Sequence, residues 1–210
     1  MNQTNVHERR LTRAAEEGNL NRKYGFWIFL SSEFLIFAGL IGAFVMTRAS
    51  VFRSTSSLEE FVQKWWEANT FSLALVSINT FVLLASSLFV VLAIDAARRD
   101  DQRGLVRWLA ATIVMGVIFL GGQAVEYTLL VSEGHTYFNN ADAFASAFFT
   151  LTGFHGLHVF VGTLICIGVL QRARKNAYWS GNFTTVEIFG LFWHFVDLVW
   201  VLIFTIVYLT

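Results

Sequence analysis

The segment that decides the fold runs from Phe148 to Leu170 and reads FFTLTGFHGLHVFVGTLICIGVL. A second segment of the same kind, EIFGLFWHFVDLVWVLIFTIVYL, occupies Glu187–Leu209. Each is longer than the roughly 20 mostly apolar residues that a helix needs to cross a bilayer. Each also carries ionisable side chains near its middle, and such groups are costly in lipid unless they face protein. These two helices are therefore predicted to cross a membrane and to pack against other helices.

Three further segments have the length and apolar character of membrane spans. Together with the first two they give five predicted spans: Gly25–Thr47, Phe71–Asp95, Arg107–Val131, Ala141–Leu170 and Thr184–Tyr208. The sequence contains no proline, the commonest cause of sharp kinks, so the helices are expected to be fairly straight. The predicted fold class is all-α, with a polar tail over residues 1–24 and a polytopic membrane bundle of five helices over residues 25–210.

The composition of the 210 residues agrees with a membrane protein. Hydrophobic residues make up 55% and charged residues only 14%, and the mean hydropathy is +0.55. Basic and acidic residues number 15 each, so the net charge gives no attraction for nucleic acid as a partner. The single cysteine, Cys166, lies in an apolar run and is expected to pack as a small hydrophobic residue.

The distribution of lysine and arginine predicts the orientation of the bundle, because cytoplasmic loops are enriched in these residues. Twelve of the 15 lie in the N-terminal tail, in the connection after the second span or in the connection after the fourth span. Arg48, Arg53 and Lys64 lie on the other side of the membrane in this arrangement. The N-terminus is therefore predicted to be cytoplasmic and the C-terminus to lie outside.

Five ionisable residues are predicted to share a layer inside the membrane: Glu33, His155, His158, His194 and Asp197. At about 1.5 Å per residue, they lie roughly 12–22 Å from the cytoplasmic surface. His155 and His158 are three residues apart, as are His194 and Asp197, so each pair shares one face of its helix. The short connection between the fourth and fifth spans predicts that these helices are antiparallel neighbours. The expected result is a hydrogen-bonded cluster of carboxylates and imidazoles.

Three roles are open for this polar layer. In the first, the polar groups satisfy one another and fix the register of the helices. In the second, they conduct or buffer protons, as carboxylates and histidines inside membranes often do. In the third, they bind a metal ion or haem, although the spacing of His155 and His158 is unfavourable for either kind of site.

Gln123 and Glu126 form a second polar position, nearer to the outer end of the third span. Three explanations are open for Glu126: its side chain reaches the membrane surface, pairs with another outer polar group, or binds a partner. Trp193 and Trp200 lie deep in the fifth span, where they are expected to pack between helices.

Several signatures of catalysis are missing from the sequence. There is no glycine-rich phosphate loop followed by lysine, no Ser–His–Asp signature and no pair of cysteines. Only three histidines lie in the predicted spans, fewer than a haem–copper catalytic core requires. By itself the chain is therefore predicted to hold neither catalytic residues nor a metal site.

Four motifs of the chain are informative together: SSEFLIFAGL at Ser31–Leu40, GQAVEY at Gly122–Tyr127, TGFHGLHV at Thr152–Val159 and WHFVDLVW at Trp193–Trp200. They resemble the motifs of subunit III of the haem–copper terminal oxidases. The motifs occur in the family's order, and the similarity covers nearly all of the chain. Glu33 lies at the position of the family's membrane-embedded glutamate. With five spans, the chain resembles the bacterial form, which lacks the two N-terminal helices of the mitochondrial type.

The resemblance implies an accessory subunit without haem or copper, in the bacterial inner (plasma) membrane. It would pack against the catalytic subunit I of a proton-pumping oxygen reductase, with haem and copper held by partner subunits. Subunit II and a small subunit IV are the further partners implied. Family members bind phospholipid, support proton uptake by subunit I and protect the complex during turnover. Arg172 and Lys175 match the family's lipid-headgroup residues.

Other functions stay open beside this one. The electron donor of the complex is either cytochrome c or a quinol, and Phe154 before His155 resembles the cytochrome c oxidases. The two missing helices form one wall of the family's lipid cleft, so a partner would have to supply that wall. Outside the oxidases, the chain could be an independent proton or ion carrier that uses the polar layer, or a haem-binding anchor of a membrane dehydrogenase. Proton flux through vesicles that hold the chain alone would indicate the carrier, and a Soret band of the isolated chain would indicate the anchor.

Overall fold

The computed structural model describes the backbone of residues 3–54, 58–132, 143–178 and 182–209. Over these ranges the chain forms five long helices and no strand: α1 (Gln3–Ser54), α2 (Leu58–Arg98), α3 (Gln102–Ser132), α4 (Ala143–Arg174) and α5 (Thr184–Phe204). A π-helical turn, Thr205–Leu209, continues α5. Each helix contains a segment that is long and apolar enough to cross a membrane. The predicted all-α membrane bundle of five spans is therefore confirmed.

Two helices extend well beyond the spans that the sequence predicts. α1 begins at Gln3, so the polar tail from that residue onward is continuous with the first span. α2 begins at Leu58, well before the predicted start of the second span at Phe71. Hydropathy marks the apolar part of a helix, and it does not mark where the helical backbone ends. The predicted start of the fourth span, residues 141–142, lies outside the described residues.

The contacts between helices place α5 in the interior of the bundle. α5 contacts α1, α2 and α4, while α3 packs on both α2 and α4. The prediction that α4 and α5 are neighbours is confirmed. Half of the apolar part of α5 is buried, against 17% of that of α1. α1 therefore lies at the edge of the bundle, on α4 and α5, and leaves most of its surface for lipid or for a partner.

Two tryptophans of α5 are buried between helices, as the sequence predicts. Trp193 is 0% and Trp200 is 2% exposed. The indole N–H of Trp193 donates to the Ser86 hydroxyl at 2.8 Å, and that of Trp200 donates to the Thr80 hydroxyl at 2.9 Å. Both acceptors lie on α2, so each buried indole nitrogen has a partner. The two hydrogen bonds fix the register of α5 against α2.

Gly116 of α3 and Gly162 of α4 leave the space that the Trp193 ring occupies. A Cβ atom on Gly116 would lie 3.1 Å from this ring. A Cβ atom on Gly162 would lie 3.0 Å from the same ring and 2.9 Å from the Phe192 ring. These separations are shorter than the contact distance of about 3.5–4.0 Å between carbon atoms. Small residues at such positions allow close approach of membrane helices.

Replacing Gly162 with alanine is expected to lower the free energy of unfolding by about 1–3 kcal/mol, because the added methyl group overpacks a core of aromatic rings. Gly168→Ala on the same helix is the matched control, since nothing lies within 4 Å of a Cβ atom at that position. Unfolding of the purified protein by SDS in mixed micelles measures both variants. Equal stability of the two variants would show that the Trp193 ring can move enough to make room for a methyl group at position 162.

α2 and α4 end in the same way, with a Schellman motif. Asp100, at φ 58°, closes α2, and Asn176, at φ 54°, closes α4. In each motif the left-handed residue donates to the carbonyl three residues back, and the next residue donates to the carbonyl five residues back. Aspartate and asparagine adopt this conformation more readily than other residues with side chains. We call this end of the bundle the basic end, because it carries Lys23, Arg98, Arg99, Arg103, Arg107, Arg172, Arg174 and Lys175.

Candidate functional site

A pair of side chains, Glu33 and His158, joins α1 to α4 inside the bundle. Oε2 of Glu33 lies 3.0 Å from Nε2 of His158, and the two side chains are 14% and 13% exposed. The other ring nitrogen, Nδ1, lies 2.8 Å from the Phe154 carbonyl oxygen. Because a carbonyl oxygen can only accept, Nδ1 carries a proton and donates it to this bond. The hydrogen bond between Nε2 and Oε2 therefore contains one further proton.

This further proton has two places to reside, the imidazole and the carboxyl group. On Nε2 it gives an imidazolium beside a carboxylate, and on Oε2 it leaves both groups neutral. The net charge of the pair is zero in both cases, and the same two heavy atoms share the bond. The geometry thus suits two of the three roles open for the layer, a structural tie and a proton relay.

Aromatic rings surround His158 and restrict its orientation. The centroid of the Phe37 ring lies 5.1 Å from that of His158, and the Phe154 ring lies 4.8 Å from it. Both contacts are close to edge-on, the arrangement that ring quadrupoles favour. The rings therefore help to hold the imidazole in the position from which it reaches Glu33.

His155 meets different partners although it lies only one turn from His158. Its side chain is fully buried, stacks on the Trp200 ring at 4.7 Å and contacts the Phe119 ring edge-on at 5.8 Å. Neither ring nitrogen forms a hydrogen bond with a residue that the structure describes. The Phe37 ring of α1, which also contacts His158, lies edge-on to it at 6.3 Å. Within the described part of the chain, His155 therefore packs as an aromatic ring among rings of α1, α3 and α5.

His194 and Asp197 lie on the side of α5 that faces α2. Nδ1 of His194 lies 2.5 Å from the Ser87 hydroxyl. Asp197 is 4% exposed; Ser87 also stands near it, but neither carboxyl oxygen has a hydrogen bond of ordinary geometry to a described residue. His194 lines a groove of about 520 Å³ between α1 and α5, together with mostly apolar side chains such as Trp27 and Phe195. This groove makes His194 accessible from the lipid side of the bundle.

A chain of hydrogen bonds joins α3 to α4, and it begins at Gln123. Nε2 of Gln123 donates to the Tyr127 hydroxyl at 3.1 Å and to the Thr152 carbonyl at 2.8 Å. The Tyr127 hydroxyl lies 2.8 Å from the Thr152 hydroxyl, which donates to the Phe148 carbonyl at 2.8 Å. Because Thr152 uses its proton in that bond, Tyr127 is the donor to Thr152. Gln123 thus ties two helices together.

Glu126 has a partner of its own on α5. It is 3% exposed and accepts a hydrogen bond of 2.7 Å from the Tyr208 hydroxyl. Of the three explanations open for Glu126, this contact favours pairing with another outer polar group. Tyr208 lies in the π-helical turn Thr205–Leu209, and such turns are rare and often occur at functional positions.

The structure divides the five residues of the layer instead of linking them in one network. α4 contacts α1 as well as α3 and α5, so His158 reaches Glu33 while His155 packs on Trp200. In the described ranges, no group of three or more His, Cys, Asp and Glu side chains is placed to hold a metal ion. The partners on other helices were not predicted from the sequence; they are Thr80, Ser86, Ser87, Thr152 and Tyr208. The available signal was the Ser86–Ser87 pair within an apolar run.

Basic side chains at the basic end have two kinds of surroundings. Glu187 lies in the first turn of α5. Its carboxylate forms ion pairs with the Lys23 ammonium group of α1 at 2.6 Å and with the Arg98 guanidinium group of α2 at 3.3 Å, and so it ties three helices together. Its charge is also favourable at a helix N-terminus. Arg172, in the last turn of α4, and Lys175, just after it, are exposed. Their role at lipid headgroups stays a prediction.

Comparison with known proteins identifies the family. The profile of the family described as cytochrome c oxidase subunit III matches residues 8–210. The chain belongs to this family. Cytochrome c oxidase subunit 3 of Alkalihalophilus pseudofirmus is 39% identical over 197 residues, which are 94% of this chain and 90% of that protein. The protein of the same name from Thermostichus vulcanus is 36% identical over 191 residues, or 90% and 87% of the two chains.

Other similar proteins are named as subunits of quinol oxidases, whose electron donor is a quinol. Quinol oxidase subunit 3 of Bacillus spizizenii is 36% identical over 195 residues, which are 93% of this chain and 89% of that protein. Cytochrome c oxidases and quinol oxidases are therefore both represented among the similar proteins. At the level that both share, the chain is a subunit III of the haem–copper oxidases and a multi-pass membrane protein that works with other oxidase subunits.

Each of the four motifs of this subunit III contributes to a contact between helices. Glu33 of SSEFLIFAGL bonds to His158 of TGFHGLHV, and Gln123 of GQAVEY bonds to Thr152 of TGFHGLHV. The motif WHFVDLVW begins at Trp193 and ends at Trp200, the two residues that dock α5 on α2. Each motif thus supplies at least one contact that holds two helices together, alongside contacts outside the motifs such as those of Glu187.

Proposed function

We propose that this chain is an accessory subunit of a proton-pumping haem–copper oxygen reductase of the cytochrome c oxidase type. It packs directly against the catalytic subunit I, and subunit II and a small subunit IV complete the complex. Haem and copper are held by the partner subunits, and this chain supplies no catalytic residue. The complex lies in the bacterial inner (plasma) membrane, with the N-terminus of this chain in the cytoplasm. The chain binds phospholipid, supports proton uptake by subunit I and prolongs turnover.

The Glu33–His158 pair is the observation that carries this proposal. It is a carboxyl–imidazole hydrogen bond of 3.0 Å between two largely buried side chains of spanning helices. Glu33 lies on α1, which is the least buried of the five spanning helices in the described structure. A partner that covers α1 would therefore lie close to the pair. This arrangement suits a subunit that acts on the proton supply of its neighbour.

The lipid part of the proposal is supported by Arg172 and Lys175 at the basic end. Both are exposed at the end of a spanning helix, where a cation can meet a lipid phosphate.

The test of the assembly is to tag this chain, extract it gently from native membranes and record the reduced-minus-oxidised spectrum of what is purified with it. An a-type haem signal with oxygen uptake driven by reduced cytochrome c is the expected result. Uptake driven only by a quinol would move the chain to the quinol oxidases, the alternative that the Bacillus spizizenii relative supports. A chain that is purified alone and colourless would contradict the proposal, and proton flux through vesicles containing it would then indicate a carrier.

Glu33→Ala and Glu33→Gln are both expected to shorten the time that the oxidase turns over before it loses activity, while the haem spectra and the initial rate change little. The carboxyl proton is lost in both variants, but glutamine can still donate a hydrogen bond to His158. Oxygen uptake followed to inactivation, with haem spectra before and after, measures the effect. Asp95→Ala, at the exposed end of α2, is the control for a lost carboxylate. If only the alanine variant is impaired, the pair is a structural tie and has no part in proton uptake.

A further inference from the structure

Three arginines converge on a pocket at the basic end that the proposed function does not use. Arg103 and Arg107 lie in the first turns of α3, and Arg174 lies in the last turn of α4. Together with Gln102 and Val106 they line a cavity of about 330 Å³. Arg103 and Arg107 are four residues apart, so their side chains lie on the same face of α3. Two helices thus direct three cationic groups to one volume.

A hydrogen bond holds the two sides of the pocket together. The side-chain amide of Gln102 donates to the carbonyl of Ala173, which precedes Arg174. The Schellman motif at Asn176 ends α4 beside this contact. At the other side, Oδ1 of Asp101 accepts from the Gly104 amide at 3.0 Å and caps α3. The spacing between α3 and the end of α4 is therefore set by the fold.

The charges in this pocket are not neutralised by carboxylates of the described structure. Other basic residues nearby have such partners: Lys23 and Arg98 pair with Glu187, and Arg99 pairs with Asp95. Within the described ranges, no ion pair involves Arg103, Arg107 or Arg174, and no carboxylate lines the pocket. The lining of the pocket therefore has three cationic side chains and no carboxylate, which favours an anionic ligand.

The pocket lies at the level of the lipid headgroups. The spanning part of α3 begins at Gln102 and that of α4 ends at Arg174, so the lining residues belong to the ends of two spans. Trp108, the next residue after Arg107, stacks on Phe89 of α2 at 5.6 Å. Tryptophan is enriched at this depth. Val106 adds an apolar wall on which the glycerol or upper acyl part of a lipid can rest.

We propose that the pocket binds a phosphate group, and that its ligand is the phosphodiester of an anionic phospholipid. Guanidinium groups bind phosphate oxygens with two parallel hydrogen bonds, and three of them surround this volume. The site is separate from Arg172 and Lys175, because Arg172 lies two residues before Arg174 and so on the other side of α4. The inference goes beyond the proposed function and does not depend on the electron donor or on the contact with subunit I.

The experiment uses the oxidase complex, purified through a tag on this chain and depleted of lipid in a neutral detergent. Calorimetric titration with dioctanoyl-phosphatidylglycerol measures binding, and dioctanoyl-phosphatidylcholine and inorganic phosphate are titrated for comparison. Arg103→Gln/Arg107→Gln removes two charges from the pocket. Arg98→Gln/Arg99→Gln removes two charges from the same end outside it and is the matched control. Lipid sites elsewhere in the complex contribute equally to all titrations.

Arg103→Gln/Arg107→Gln is expected to weaken binding of phosphatidylglycerol at one site about 30-fold, on the basis of about 5-fold for each cation near an anionic lipid. Arg174→Gln is expected to give a loss of about 5-fold at the same site. The control should bind as the unchanged complex does. Equal losses in the pocket variant and the control would overturn the proposal, as would a pocket that binds phosphatidylcholine as tightly as phosphatidylglycerol. Arginine-dependent binding of inorganic phosphate without phosphatidylglycerol would overturn the lipid as ligand and assign the pocket to free phosphate.

Discussion

Trp193→Ala is expected to lower the free energy of unfolding by about 3–5 kcal/mol, the usual cost of removing a large aromatic side chain from a core. The ring is fully buried and lies against the positions of Gly116 and Gly162, so the substitution empties the space between three helices. It also removes the hydrogen bond of 2.8 Å that the Ser86 hydroxyl accepts from the indole N–H. Main-chain atoms on both sides of the gap belong to rigid helices, and they limit how far the cavity can close.

Two further substitutions separate the contributions of Trp193. Trp193→Phe keeps much of the ring but removes the N–H donor, and it is expected to cost about 1 kcal/mol for the lost hydrogen bond in addition to a smaller packing loss. Trp27→Ala is the control for loss of a tryptophan, because Trp27 is 54% exposed, and a change within about 0.5 kcal/mol is expected. SDS-induced unfolding in mixed micelles measures all three. A loss at Trp193 no larger than that at Trp27 would show that α5 does not depend on this contact.

His158→Leu is expected to cost about 3–5 kcal/mol, because it leaves the Glu33 carboxyl group inside the membrane without its partner. The side chain of Glu33 is 14% exposed, so water compensates little of the loss. Glu33→Leu/His158→Leu removes both polar groups and is expected to recover most of this stability, since an apolar pair of similar volume needs no hydrogen bond. The informative result is whether Glu33→Leu/His158→Leu is more stable or less stable than His158→Leu alone.

The four proteins of this double-mutant cycle are compared by the same unfolding measurement. A coupling energy of several kcal/mol between the two sites is expected, because the atoms lie 3.0 Å apart. Additive losses, with the double variant less stable than either single variant, would show that the two side chains contribute independently. In that case the bond does not hold α1 on α4, and the aromatic packing around Phe37 would have to do so.

The architecture was accessible from the sequence because lipid imposes a simple rule. Backbone polar groups must be satisfied within a spanning segment, so each long apolar run predicts one helix. The short connection between α4 and α5 was enough to make them neighbours, and the depth of Trp193 and Trp200 was enough to place them between helices. Each of these inferences needs only local sequence and the thickness of the bilayer.

The partners of the polar side chains were not accessible in the same way. His155 and His158 are three residues apart, and helical spacing turns their side chains about 60° from each other. This small angle decides which imidazole reaches the Glu33 carboxyl group and which one stacks on the Trp200 ring, and the outcome depends on where the other helices pack. The sequence gives their number but not their arrangement around α4. For the same reason, the sequence does not indicate that the Tyr208 hydroxyl bonds to Glu126.

The helix ends show a different limit of sequence reasoning. The left-handed residues that close α2 and α4 are Asp100 and Asn176, and neither end uses the glycine that usually marks a Schellman motif. The pocket between Arg103, Arg107 and Arg174 depends on both ends, since α3 begins directly after the first of them. The way the backbone ends α2 and α4 therefore brings Arg103 and Arg107 close to Arg174, although these residues belong to two separate connections.

The bond between Glu33 and His158 also has a consequence for biogenesis, because it joins residues 125 positions apart in the chain. A ribosome that adds about 5–20 residues each second reaches His158 roughly 6–25 s after Glu33 has been synthesised. During this interval Glu33 lacks its partner His158, and α1 is inserted into the bilayer with a carboxyl group that does not yet have this hydrogen bond. The partner helices of α1 are α4 and α5, so α1 cannot take its place in the bundle until both have been synthesised.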